Sequence, residues 1–220
     1  MDPGTVKLKR YILLNPGPGN VTDSVRQALL IPDLCHREAE FLEVMREVRR
    51  RLLEVAGVSE RTHAAVLFTG SGTAAVEATV CSAVPTGRTL LVIDNGVYGD
   101  RIRQMAVAHG IPHTALTRGW TEPADPAAVA EVLARDASIS HVALVHHETT
   151  TGLLNPLGEI GEVVAAAGRS LIVDAMSSFG GEVIDCQGFH IDFLIANANK
   201  CLQGMPGLAF VIGRREALQG

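Results

Sequence analysis

Between Glu38 and Ala56 the apolar residues Phe41, Met45, Val48, Leu52 and Val55 recur at intervals of 4, 3, 4 and 3. That spacing puts them on one face of an amphipathic helix, and Gly57 is its stop. The other face carries Arg46, Arg49, Arg50 and Arg51 and reads as a solvated stripe. Further along the pattern changes. Short continuous apolar runs at Ala64–Phe68, Leu90–Ile93, His141–Val145, Ser170–Val173, Phe193–Ala196 and Leu208–Ile212 have the length of buried strands. Helical spacing fills many of the intervals, at Gly72–Val84, Gly99–His109, Pro126–Arg135 and Gly158–Ala167. Asp125-Pro126 opens the third of these, Asp as N-cap and Pro as first helical residue. Asn15 to Asn20, rich in proline and glycine, is a turn. Strands alternating with helices predict an α/β fold: a largely parallel mixed sheet with helices on both faces.

The 220 residues are 47% hydrophobic and 20% charged, enough for one large domain or two small ones without a disulfide or metal staple. The formal charge of −5, with no basic stripe, argues against a nucleic-acid surface. Cys35, Cys81, Cys186 and Cys201 are scattered and form no CxxC pair, so structural zinc and dithiol redox chemistry are not expected. Basic residues from Lys7 precede an apolar run, but Tyr11–Leu14 is too short for a signal peptide, and no run has the ~18 apolar residues of a membrane span. A cytoplasmic protein that touches neither membrane nor nucleic acid is the expectation.

The first chemical signal is Thr69-Gly70-Ser71-Gly72-Thr73-Ala74-Ala75, between a strand and a helix. Glycines admit close approach of an anion, hydroxyls add donors, and a helix start aims free N–H groups at it. A capped strand-to-helix turn is the plain alternative. A functional rival is stronger. Gly70-x-Gly72-x-x-Ala75 matches the dinucleotide fingerprint, and Asp94 ends the next strand where a ribose-binding acid would stand. Up to position 100 a nicotinamide dehydrogenase is an open reading.

The second half tips the balance. Asp174 ends the strand Ser170–Val173, and Lys200 lies just past Phe193–Ala196 in a nearly uncharged setting. Parallel sheets gather ligands at the carboxyl ends of their strands, so the Ser71 cradle, Asp174 and Lys200 can meet there. A phosphate cradle, a buried acid and a desolvated lysine are what pyridoxal 5′-phosphate needs, whereas a nicotinamide has no use for the lysine.

Six separated segments carry a family resemblance: Leu14–Pro18, Gly70–Thr73, Asn95–Gly99, Glu148–Gly152, Val173–Gly180 and Ala198–Cys201. They resemble those of the class V aminotransferases of fold type I, over nearly the whole chain. The resemblance implies a pyridoxal phosphate-dependent transaminase, with Lys200 as covalent attachment point and proton carrier and Asp174 paired with the pyridine nitrogen. It implies a phosphate held by Ser71, Gly72 and Thr73 with Asn199 nearby, a ring stacked by Tyr98, and a phenolic oxygen bonded by Thr149. His146–Gly152 and Asp174–Gly180 resemble most the branch that moves the amino group of 2-aminoethylphosphonate to pyruvate. Alanine–glyoxylate and serine–pyruvate transaminases, and a non-catalytic scaffold, are the alternatives.

The same resemblance implies a homodimer whose partner subunit completes the phosphate site. It divides the chain into an N-terminal segment leading into the active site (1–30) and a cofactor-binding large domain (31–220). The family's smaller C-terminal domain, with its substrate-binding arginine, is expected to lie outside the chain. No metal site is expected: His141, His146, His147 and Glu148 alternate along a strand and lack ligand spacing. His36-Arg37-Glu38 reads as an exposed turn and Cys201 as a packing thiol.

Overall fold

The structure, a computed structural model, describes residues 11–219, so the first ten residues of the 1–30 segment, including Lys7, lie outside the described residues. A short helix α1 (Asp23–Gln27) and a 3₁₀ turn (Ala28–Leu30) precede α2 (Ala39–Val55), the predicted amphipathic helix. Gly57 follows it at φ +68, a value that favours glycine. The arginine stripe is exposed, and Arg46, Arg50 and Arg51 pair with Glu43, Glu47 and Glu54 along the helix.

From there strands and helices alternate: β1 (His63–Thr69), α3 (Gly72–Ala83), β2 (Thr89–Asp94), α4 (Val97–Ala108), β3 (His113–Thr117), α5 (Pro126–Arg135) and β4 (Ile139–Val145). A two-residue pair, β5 (His147–Glu148) with β6 (Leu153–Leu154), leads to α6 (Leu157–Ala166), β7 (Ser170–Asp174), β8 (Phe193–Asn197) and β9 (Leu208–Arg214). All six predicted strands form. The patternless additions are β3 at the sheet edge, where its side chains are mostly half-buried, and the short pieces β5, β6 and α1.

The seven-stranded order is β1-β9-β8-β7-β4-β2-β3. Only β9 runs against the others, so β1, β2, β3, β4, β7 and β8 end at the same edge. Successive side chains alternate faces, which is visible in the two cores. Leu91, Ile93, Leu144 and Val173 pack with α2, α5 and α6; Leu90, Val92, Val145 and Ile172 pack with α3 and α4. Helices therefore cover both faces, and the nearly continuous apolar strands follow from that double burial.

The topology also settles the dinucleotide question. A dinucleotide fold seats the glycine-rich strand next to the strand bearing the acid. Here β1 is an edge strand and β2 lies near the opposite edge. Asp94 does not line the cavity at the strand ends; it accepts from the Gly96 N–H and faces Arg103 Nε at 3.6 Å. Among the described residues no helix is long and apolar enough to cross a membrane.

The segment after β7 is locked to α6 through Gly161, where an added Cβ would overlap the Phe189 carbonyl oxygen. Gly161→Ala is expected to destabilise the chain by about 1–3 kcal/mol through overpacking. Urea unfolding should show a lowered midpoint with an unchanged slope.

Candidate active site

The loops at the common strand edge enclose a cavity of about 220 Å³. Ser71, Gly72, Thr73, Tyr98, Thr149, Asp174 and Lys200 all line it, so the sheet brings together seven of the eight residues expected to hold the cofactor. Asn199 does not line it; it sits half-buried in the turn after β8. The cavity is small beside the roughly 300–1,000 Å³ of drug-sized sites, which suits a compact ring better than a dinucleotide.

On one side is the start of α3. Ser71 is its N-cap, and the hydroxyl oxygen accepts from Ala74 N at 3.2 Å, leaving its own proton to donate outward. Gly72 is required for a reason the sequence did not show. A Cβ there would come within 2.5 Å of Met176 Sδ and 3.1 Å of Asn197 Nδ2, so its bareness serves packing against the turn after β7 and against β8.

Asp174 ends β7 among buried neighbours. Among the described residues its carboxylate accepts one hydrogen bond, from Met176 N at 3.0 Å. Burial is the main cause that pushes its pKa up, to about 6, with the Glu148 charge adding and the Met176 N–H opposing. Asn197 Oδ1, also in the lining, is buried and has no partner among the described residues. Both acceptors suit a ligand that brings an N–H or O–H donor.

Tyr98 is positioned by one buried residue, Glu148. Its carboxylate accepts from Gly99 N at 2.8 Å and Tyr98 N at 3.3 Å, capping the first turn of α4. Burial raises its pKa and those two N–H groups oppose the rise. Thr149 Oγ1 lies 2.6 Å from Ser177 Oγ. His146 is structural: its Nδ1 meets Ser178 Oγ at 2.9 Å, its N–H donates to the Asp174 carbonyl, and burial lowers its pKa to about 4. His147 turns the other way and lines the cavity. Among the described residues no cluster of His, Cys, Asp or Glu could hold a metal.

Lys200 is half-buried, less desolvated than its apolar surroundings in sequence imply. Its Nζ donates to the Gly17 carbonyl at 3.2 Å, 183 residues away in sequence. Gly17 has φ +143, and a Cβ on it would overlap Lys200 Cδ. The Pro16–Pro18 turn is therefore packed against the lysine arm. Cys201 is exposed rather than packed inside, its thiol donating to the Ser177 carbonyl at 3.4 Å because the turn after β8 leaves it at the surface. His36 and Arg37 are exposed in a turn before α2, as expected.

Sequence reasoning missed Arg101, His147, Met176, Ser177 and Asn197 as lining residues. Arg101 had a usable signal: it lies three residues after Tyr98 on a helix and so shares its face. The others depend on how strand ends turn, which no local pattern specifies.

Two outcomes follow from this geometry. Gly17→Ala is expected to displace the Lys200 arm and lower the melting temperature, while Gly19→Ala, with open space around it, leaves both unchanged. Partial recovery of stability in the Gly17→Ala/Lys200→Ala double variant measures the collision, the remaining loss being the backbone strain of an alanine at φ +143. For Asp174 the folded pKa is raised from 3.8 to about 6, so its stabilising neutral form is present below pH 4 and lost as pH rises through 6. Asp174→Asn should stabilise the ligand-free chain by about 2–3 kcal/mol at pH 8 and change little at pH 3.5, measured by thermal unfolding at both pH values.

The chain matches the family described as Aminotransferase class-V over residues 26–220. It is 45% identical over 210 residues to the 2-aminoethylphosphonate–pyruvate transaminase of Vibrio cholerae, covering 95% of this chain and 57% of that protein. The enzyme of the same name from Phocaeicola vulgatus is 42% identical over 213 residues, covering 96% of this chain and 59% of that one. The chain thus spans somewhat more than half the length of these relatives. Among solved structures, alanine–glyoxylate aminotransferase from Nostoc sp. superposes with a TM-score of 0.91 at 30% identity, covering 100% of this chain and 57% of that one. Pyridoxamine–pyruvate aminotransferase from Mesorhizobium loti gives 0.89 at 28%, with 96% and 53% covered. With its sheet, its strand-edge cavity and this match over most of its length, the chain belongs to the class V aminotransferases.

Proposed function

We propose that this chain is the cofactor-binding large domain of a homodimeric transaminase that carries the amino group of 2-aminoethylphosphonate to pyruvate. The observation that carries the reading is the convergence of Lys200, Asp174 and the Ser71–Thr73 helix start on one small cavity. Relatives 42–45% identical that bear the name of this reaction support the choice of substrate. Exposed Ile12, Leu14, Leu29, Leu30 and Ile31 offer an apolar surface for a second copy.

The residues fit pyridoxal phosphate. When bound, that group supplies an electrophilic aldehyde carbon and a pyridinium ring able to take up negative charge. Ser71 Oγ and the Gly72 and Thr73 N–H groups would hold the phosphate. Asp174 accepts the ring N–H, and a cationic partner there keeps the carboxylate ionised against the burial that raises its pKa. Tyr98 would cover the ring face, and Thr149 Oγ1 would bond its phenolic oxygen. Lys200 Nζ would be the attachment point for the aldehyde carbon. With its amine free beside the substrate, Lys200 would be the group that holds and moves the proton of the amine-bearing carbon, as a general base and then a general acid.

Pyridoxal phosphate is expected to raise the melting temperature of the chain, and NAD to leave it unchanged. Borohydride should fix the cofactor to wild type and fail to do so with Lys200→Ala. Added to the loaded chain, 2-aminoethylphosphonate should change its visible spectrum faster than alanine or serine does. A preference for alanine or serine would favour the other transaminase branches, and no uptake of cofactor would favour a scaffold.

A further inference from the structure

A phosphate monoester carries about 1.5 to 2 negative charges at neutral pH. The start of α3 offers it hydroxyl and N–H dipoles, which orient the group without neutralising it. Charge has to come from elsewhere in the lining, where the permanently or ordinarily cationic side chains are Lys200 and Arg101. In the proposed function the Lys200 amine is consumed by the covalent link, and in this structure it points to the Gly17 carbonyl.

Arg101 is placed to serve. On α4 its Nη1 donates to Thr73 Oγ1 at 3.4 Å, so the guanidinium stands beside the hydroxyl at the cradle. Its central carbon lies 4.9 Å from the centroid of the Tyr98 ring, a cation–π contact that sets the direction of the side chain. Among the described residues no carboxylate pairs with it. Neighbouring Asp100 is taken by Arg103 and Gln104, and Glu148 by the backbone of Tyr98 and Gly99. Its charge nevertheless reaches the site, lowering the proton affinity of both Asp174 and Glu148. An unpaired, always-charged fork next to an anion cradle is the arrangement that recognises phosphate.

We propose that Arg101 is a phosphate-binding residue of this site, supplying to the cofactor's phosphate ester the positive charge that the Ser71–Thr73 cradle lacks. The proposal rests on the pyridoxal phosphate reading, and its test separates the two.

Affinities for pyridoxal 5′-phosphate and for pyridoxal, which lacks the phosphate, are measured by calorimetry. Both are taken in the Lys200→Ala background, where no covalent link contributes. Arg101 is exposed on a helix, so Arg101→Met keeps the fold, as circular dichroism should confirm. The expected result is a loss of about 10- to 100-fold in affinity for pyridoxal phosphate with pyridoxal binding unchanged. Arg101→Lys should recover part of the loss, and raised salt should shrink the difference. Equal loss of both ligands would mean that Arg101 only braces Tyr98 and would overturn the proposal. So would an unchanged ratio, including the case in which Arg101→Met weakens only 2-aminoethylphosphonate binding to the loaded chain. If the Arg101-bearing protein itself does not prefer pyridoxal phosphate to pyridoxal, the cofactor reading fails and takes the proposal with it.

Discussion

Parallel strands cannot be joined by tight hairpins; each return needs a crossover, and here α3, α4, α5 and α6 make the crossovers on the two faces of the sheet, while the β7–β8 return is a non-helical segment packed on α6. Two consequences follow from that one constraint. The strands are buried on both sides, which is why Leu90–Ile93, Val142–Val145 and Leu171–Val173 are unbroken apolar runs. All six parallel strands also deliver their next residues to a single edge, so Ser71, Tyr98, Asp174 and Lys200, separated by up to 129 positions in sequence, become neighbours of one cavity. The reversed strand β9 leaves this edge intact, because it only carries the chain away from the Lys200 turn.

Electrostatics at that edge are held in tension. Asp174 is a carboxylate deprived of water and given one N–H in exchange, so its charged form is costly until a cation joins it. Glu148, fully buried nearby, is better provided for by two N–H groups at the start of α4, yet its charge adds to the cost at Asp174. Such a buried carboxylate lowers the stability of the chain for as long as no cation joins it.

Close approach, more than backbone freedom alone, explains the two most informative glycines. Gly72 makes room for Met176 and Asn197, and Gly17 makes room for the arm of Lys200. The second case ties the segment before α1 to the far end of the chain: a turn with no core residues of its own closes over the lysine and receives its hydrogen bond.

Local periodicity sufficed for most of the architecture. The steps of 4 and 3 in α2, the Asp125-Pro126 cap and the apolar strands are one-dimensional patterns whose cause, burial of one face or of two, acts on every residue of the element. The cradle, Asp174 and Lys200 were legible too, because each stands at the end of a strand or within three residues of it, where an α/β sheet places its ligands. Where a pattern depends on a partner distant in sequence, it was silent. The half-buried edge strand β3 lacks a continuous apolar run, and the packing reason for Gly72 lies in the turn after β7 and on β8. The dinucleotide fingerprint at Gly70–Ala75 is a local match that only strand order could refuse, since Asp94 and the cradle stand near opposite edges of the sheet. The sequence by itself determined most of the elements, the α/β class, and the cradle, Asp174 and Lys200 as residues that meet at one cavity. Tertiary structure alone decided that Asn199 stays out, that Arg101 and Asn197 come in, and that Gly17 meets Lys200, because side-chain direction at a strand end is set by long-range packing that no window of sequence contains.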